Sequence, residues 1–370
     1  MIDVVQVLRE LVAIDSTSIR TNGPMLEALE KHAHALGFNT QRQQWTDERG
    51  VPKANLIARR GTGAALALVG HTDCVPFDPA WTGALTGEEK DGKLFGRGSA
   101  DTKSFIAASL SAASRSQKPL TLVFTADEEV GCLGAAKLVQ ESLVRVKYAI
   151  VGEPTRLIPV LGHKGYCLAE VHITGSEGHS AYPETGASAI LAAGHVLQEI
   201  EAAALKLSRE QDPRFSPPFT TYNVGLISGG KAKNIIAGEC KLTVEWRPLP
   251  GQDVKRALEL LQQACARVAE GRISGAERRI SIEVREQRLD EGIAVPEESP
   301  VVRFLAAQSG NAPQTIPFGT ELPYLAALGA QACVFGPGDI RVAHKTGEFV
   351  PLAELHKAVD ILSAAIDHFT

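Results

Sequence analysis

No apolar stretch in this sequence approaches the ~20 residues that a membrane-crossing helix needs, so nothing in it reads as a span. Excess positive charge is missing too. Lys and Arg number 38 against 43 Asp and Glu, a formal net charge of -5, which leaves no basic field to draw in nucleic acid or an anionic membrane. The N-terminal residues Met1 to Glu10 carry early acids in an amphipathic pattern, not the basic-then-apolar layout of an export signal. The six cysteines, at 74, 132, 167, 240, 265 and 333, include no CxxC pair. Asn-x-Ser/Thr acceptors are also absent, and both absences agree with a cytoplasmic protein of reduced thiols. Gly61-Thr62-Gly63, Gly96-Arg97-Gly98 and Gly336-Pro337-Gly338 each lack the third glycine of GxGxxG, which argues against a dinucleotide-dependent oxidoreductase. No GxSxG occurs, which argues against a serine hydrolase. There is no internal repeat and no low-complexity segment.

What is present is a set of short apolar runs, each followed by a potential metal ligand. Ala64 to Gly70 leads to His71, Leu120 to Thr125 to Glu128 and Glu129, and Val146 to Gly152 to Glu153. A fourth run, Ala332 to Phe335, leads through Gly336-Pro337-Gly338 toward His344, and Asp101 sits in the Gly-rich turn Gly96 to Lys103. Nearly continuous apolar runs bounded by turn residues predict strands buried on both faces. In open α/β sheets, ligands gather in the crevice outside the carboxyl ends of such strands.

At 370 residues, two domains are expected. Helical periodicity over Val4 to Ile14, Pro24 to Leu36 and Ser104 to Ser114 alternates with the strands, as a doubly covered sheet requires. From Gly165 the order changes to strand, helix, strand, strand, helix, strand: Tyr166 to Thr174, Ala187 to Leu205, Thr220 to Ile227, Glu239 to Arg247, Asp253 to Ala269 and Ile280 to Val284. This is the split βαβ arrangement. Within its second helix Val254, Leu258, Leu261, Cys265 and Val268 form one apolar stripe. The expected organisation is a catalytic domain from residues 1–164 and 288–370, interrupted by a ferredoxin-like βαββαβ lid or dimerisation domain at 165–287.

The chemistry of the ligand types narrows the function. His71-Thr72-Asp73 puts His and Asp on one side of an extended chain, and Asp73 suits the carboxylate that orients a ligating imidazole. Alone, the tripeptide is equally a strand-end His beside an incidental Asp. Asp101 alone reads as a helix N-cap, although a carboxylate can also bridge two cations about 3.5 to 4 Å apart. Asp127-Glu128-Glu129 alone reads as a solvated acidic loop. Adjacent side chains leaving a strand diverge, however, so Glu129 is assigned as a ligand and Glu128 as the general base. Two His and three carboxylates without a thiolate suit two divalent ions, zinc first, with cobalt or manganese as alternatives. A non-catalytic metal binder would have no need of Glu128 beside Glu129.

Together, His71-Thr72-Asp73, Gly96 to Lys103, Asp127-Glu128-Glu129, Gly152-Glu153-Pro154 and Ala343-His344 resemble the M20-type metal-dependent aminoacylase and peptidase family over nearly the whole chain. The resemblance implies a zinc-exopeptidase-like sheet and Asp101 as the bridge. It gives His71 and Glu153 to one metal, Glu129 and His344 to the other. His163-Lys164-Gly165 and Gly319-Thr320-Glu321-Leu322-Pro323-Tyr324 look most like the acetylornithine deacetylase branch, with Cys74 and Ala181 as departures where Thr and Ser are common. That implies removal of acetyl from an N-acetyl-L-amino acid, N-acetylornithine or N-acetylcitrulline, in arginine biosynthesis. A desuccinylase-like or dipeptidase/carboxypeptidase activity is the alternative. The resemblance further implies a homodimer in which His179 reaches the partner's active site to stabilise the oxyanion, with Asn234, Arg247 and Glu321 contacting substrate. Without it, His179 reads as a helix-entry polar residue and Arg247 as a strand-end charge. His163, His172 and His195 read as packing or surface residues.

Overall fold

The computed structural model describes residues 2–271 and 280–370. The chain divides into two compact units, Met1–Leu161 with Val295–Gln314 and Thr320–Thr370, and Gly162–Ala294 with Thr315–Gly319.

The first unit is built on one mixed sheet. Its strands run in the spatial order Asn39–Thr46, Pro52–Arg60, Leu120–Thr125, Leu66–His71, Tyr148–Val151, Gln331–Val334 and Val160–His163. The four strands from Leu120–Thr125 to Gln331–Val334 are mutually parallel, with Ala67 opposite Thr121, Leu66 opposite Tyr148 and Gln331 opposite Tyr148. Antiparallel strands flank them on both sides. Every residue of Leu66–His71 and of Leu120–Thr125 is buried, so both faces of the sheet are covered. That explains their nearly continuous apolar character, since water reaches neither side.

One covering helix, Lys103–Ala113, is buried along its whole length and packs against the helices Val4–Val12 and Leu352–Phe369. Its small residues let it lie close to the sheet. The strand exits show how close. A Cβ on Gly152 would sit 2.2 Å from the Phe105 ring, and one on Gly70 would sit 3.1 Å from Ile106 Cγ1. Glycine at these two points allows the helix to press on the strand ends that deliver His71 and Glu153.

The second unit has the order expected of a split βαβ. Its antiparallel sheet runs Thr221–Gly229, Glu239–Arg247, Tyr166–Thr174, Ser281–Asp290, with the helices Ala189–Leu207 and Lys255–Glu270 in sequence between the strands. Burial alternates along two strands, with Cys167, Ala169, Val171 and Ile173 in one and Cys240, Leu242, Val244 and Trp246 in the other. The same core receives Val254, Leu258, Leu261, Cys265 and Val268. This unit ends at Ala294 rather than 287, because the last strand continues to Asp290 and pairs with Tyr166. It also recruits Thr315–Gly319, where Thr315 Oγ1 donates to the Arg214 carbonyl and Arg247 Nη1 donates to the Pro317 carbonyl at 3.3 Å. Among the described residues, no helix is long and apolar enough to cross a membrane.

Candidate metal centre

His71 is the last residue of its strand and 1% exposed. Its Nε2 lies 3.1 Å from Asp101 Oδ1, and its Nδ1 lies 3.0 Å from the carbonyl oxygen of Asp73. Asp101 Oδ2 lies 3.3 Å from His344 Nε2, which is itself 3.1 Å from Glu129 Oε2. One aspartate therefore faces both imidazoles. Around His71 the ligand atoms form two groups, His71 with Glu128 and Glu153, and His71 with Asp101 and Glu129, each group lying within 4.8 Å. All five expected ligands and Glu128 thus converge at one edge of the sheet. They come from the ends of parallel strands and from the turns at Asp101 and His344.

Two ligand segments use uncommon backbone. Asp127 and His344 have φ of 57° and 59°, in the left-handed region that non-glycine residues seldom occupy. Such conformations persist where the surroundings over-determine them, and they concentrate at functional sites.

The electrostatics call for cations. Burial alone raises the Glu128 carboxyl, and although His71 pulls it down, Glu129, Glu321 and Asp101 push it further, to about 8. Glu153 is held well above the carboxylate range by burial and by Asp101 and Glu128. Glu321, 1% exposed, is pushed to about 7 by burial despite the opposing pull of His71. Conversely, His344 is raised to about 10 by its contacts with Asp101 and Glu129. Burial opposes a charge on Asp101, yet both histidines overcome it and hold this acid far below its usual range. Carboxylates crowded in a dry site with only two imidazoles lack positive charge, and two divalent ions would supply it. The donor set of nitrogen and oxygen atoms fits such ions.

Asp73 does more than face the imidazole. Its carboxylate is 3.6 Å from His71 Nδ1, farther than its own carbonyl. It also accepts the Glu128 amide at 3.0 Å, the Glu129 amide at 3.2 Å and the Ser18 hydroxyl at 2.9 Å. It thus holds the acidic turn as well as facing the imidazole, whose Nδ1 also meets the Asp73 carbonyl.

The sequence reading did not find Glu348. This residue, 1% exposed, accepts Arg97 Nη1 at 2.6 Å and the amides of Gly98, Ala100 and Asp101 at 3.1, 3.0 and 3.1 Å. One carboxylate therefore ties the turn bearing Asp101 to the segment bearing His344. In Lys345-Thr346-Gly347-Glu348 no local pattern marks it. In Glu348→Gln an amide NH2 must face backbone N–H donors. We expect metal affinity, measured by chelator competition, to fall about 10- to 100-fold, as when outer-shell partners are removed.

His179, Asn234 and Arg247 belong to the second unit. His179 pairs with Ile235, and the Ser180 amide donates to the Asn234 carbonyl at 3.2 Å, so the first two share one small ribbon. Arg247 donates to Glu245 at 2.8 Å and lies 4.8 Å from the Tyr166 ring centroid.

Comparison with known proteins settles the family. The model of peptidase family M20/M25/M40 matches residues 67–368. The chain belongs to this family. It is a metal-dependent amidohydrolase, of a family whose enzymes use a dinuclear metal centre. The chain is 53% identical to an acetylornithine deacetylase of Myxococcus xanthus over 98% of its own length and 96% of that relative. It is 34% identical to one from Proteus mirabilis, over 99% and 96%. Among solved structures, a tripeptidase from Staphylococcus aureus aligns with a TM-score of 0.79 at 21% identity, covering 99% of this chain and 98% of that one. An M20 family metallo-carboxypeptidase from Sulfolobus solfataricus gives 0.75 at 17%, covering 100% and 99%. These two share the fold with the M20 chain described here.

Proposed function

We propose that this M20 enzyme removes the acetyl group from an N-acetyl-L-amino acid, N-acetylornithine first, as a step of arginine biosynthesis in the cytoplasm. The observation that carries this reading is the 53% identity to an acetylornithine deacetylase over nearly the full length of both chains. The metal cluster by itself would serve a peptidase equally.

His71 and Glu153 would hold one ion and Glu129 and His344 the other, with Asp101 shared between them; zinc is the first choice, with cobalt or manganese as alternatives. When bound, the ions polarise the acetyl carbonyl and acidify a coordinated water. Glu128 takes the proton of the attacking water and returns it to the departing nitrogen, so acetate and a free amine leave. Burial and the neighbouring acids raise Glu128 and bound cations would lower it again, which leaves it near the range where one carboxyl can both take and return a proton. Asn234, Arg247 and Glu321 contact the polar groups of the substrate.

A homodimer through the second unit accompanies this reading, with His179 of one subunit stabilising the developing oxyanion in the other. The strand Thr221–Gly229, at an edge of its sheet, leaves Leu226 and Ile227 69% and 55% exposed, and Leu191 is 52% exposed. Such apolar surface favours a protein partner. Mixing and reassembling an inactive Glu128→Gln variant with an inactive His179→Ala variant should restore activity, and no recovery would remove the shared-site model.

The deciding experiment measures product amine from a panel of N-acetylornithine, N-acetylcitrulline, N-succinyl-diaminopimelate and dipeptides, with and without a chelator. Acetylated amino acids should be preferred, and chelation should stop the reaction. Faster cleavage of the succinyl substrate or of peptides would overturn the assignment.

A further inference from the structure

The turn that carries Glu128 and Glu129 is held from behind by a neighbouring strand, and two side chains of that strand do the holding. Lys53 and Asn55 lie two residues apart on Pro52–Arg60, and so on the same face of the strand. Asn55 is fully buried. Its Oδ1 accepts the Ala126 amide at 3.0 Å, and its Nδ2 donates to the Gly134 carbonyl at 2.8 Å. Both mouths of the 126–134 turn are thereby tied to one residue. Lys53 reaches further along the turn. Its Nζ, in a side chain 1% exposed, donates to Asp127 Oδ1 at 2.5 Å and to the Ser18 carbonyl at 2.8 Å.

Asp127 immediately precedes Glu128 and adopts the left-handed backbone. Its carboxylate is held by Lys53, while the amides of Glu128 and Glu129 are held by Asp73, which Ser18 in turn supports through its hydroxyl. Lys53 thus touches both anchors of the turn, Asp127 directly and Asp73 through Ser18. Burying an ammonium is costly, and the pair with Asp127 and the bond to the Ser18 carbonyl offset that cost. Here the partner sets the direction in which the chain enters the Glu128-Glu129 pair.

We infer that Lys53, through its buried pair with Asp127, is a positioning residue for the hydrolysis, acting on the orientation of Glu128 without contact with substrate or metal. The inference rests on the reading of Glu128 as the general base. Misplacing a proton acceptor by about 1 Å can cost on the order of 100-fold in rate, whereas the substrate contacts lie on other residues and, although Glu129 shares the turn, the four remaining ligands would still hold the ions in the metal-loaded enzyme. The signature is therefore a selective loss of kcat.

The test uses the full-length metal-loaded enzyme and three variants, Lys53→Met, Lys53→Arg and Asp127→Asn. For Lys53→Met we expect kcat to fall at least 10-fold, with KM and metal stoichiometry within 2-fold of the parent. Lys53→Arg should recover a substantial part of the loss, because it restores the charge and the donor. A kcat within 2-fold of the parent in Lys53→Met would overturn the inference. So would a parallel loss of kcat, KM and bound metal, the mark of general structural damage. If Lys53→Met fails to fold, Asp127→Asn decides. That variant keeps the shape and one acceptor, and should lower kcat at least 3-fold at unchanged KM; unchanged kcat would overturn the inference. A Glu128→Gln control separates this result from the parent reading, since activity in that control would refute the base assignment whatever Lys53 does.

Discussion

Glu128→Gln is expected to lower turnover by about 10³-fold or more while the protein keeps its fold and its full complement of metal. General-base catalysis is worth ~10²- to 10⁴-fold, and glutamine, nearly identical in shape, can neither take nor return a proton. The neighbourhood makes a high figure reasonable. Burial, Glu129, Glu321 and Asp101 together lift Glu128 to about 8 against the pull of His71 before any ion is bound, and bound cations would bring it back toward the range where it can both accept and release a proton. Metal content decides between two roles. Glu128 lies within 4.8 Å of ligand atoms on His71 and Glu153, close enough to bind an ion itself. Loss of turnover with two ions retained identifies the base. Loss of one ion along with turnover would make Glu128 a ligand and reassign the general base.

Much of this site was legible in the sequence because strand exits announce themselves. The runs before His71, Glu128-Glu129 and Glu153 are nearly continuous in apolar residues, and in the structure the first two are buried on both faces. Once three parallel strands are placed side by side, their following residues have to meet. The second unit was readable for a related reason. Alternating burial in its strands and the stripe from Val254 to Val268 are periodic signals that survive in local sequence. What escaped was everything that acts through backbone amides at long range. Glu348 sits about 250 residues from the turn it cradles, and Lys53 reads as an ordinary charged strand residue until Asp127 is placed against it. Asp73 was noticed as a partner for the imidazole, but its carboxylate serves the Glu128 and Glu129 amides more closely. Spacing along one strand gives the side on which a carboxylate emerges, and only the fold of a second strand determines what it meets there.

Asp101→Asn should have an effect as large by a different route, reducing bound metal from two ions to at most one and activity by about 10³-fold. Asp101 offers one oxygen toward His71, at 3.1 Å, and the other toward His344, at 3.3 Å, which is the geometry a bridge between two ions requires. Asparagine retains one acceptor but replaces the other with an NH2 group that has no lone pair to give. Charge adds to the loss. Two unit charges 4 Å apart at an effective dielectric near 20 interact by about 4 kcal/mol, so removing the central carboxylate weakens attraction for both cations at once. The same reasoning predicts thermal behaviour. In the parent, metal should raise Tm because it binds the folded state and relieves repulsion among Glu128, Glu129 and Glu153. In Asp101→Asn the difference in Tm between metal-loaded and chelated protein should shrink, and atomic absorption on the same samples reports the stoichiometry. A variant that still holds two ions and shows the parent's full metal-dependent rise in Tm would mean that Asp101 does not bridge, and that each ion is held by its own ligands alone.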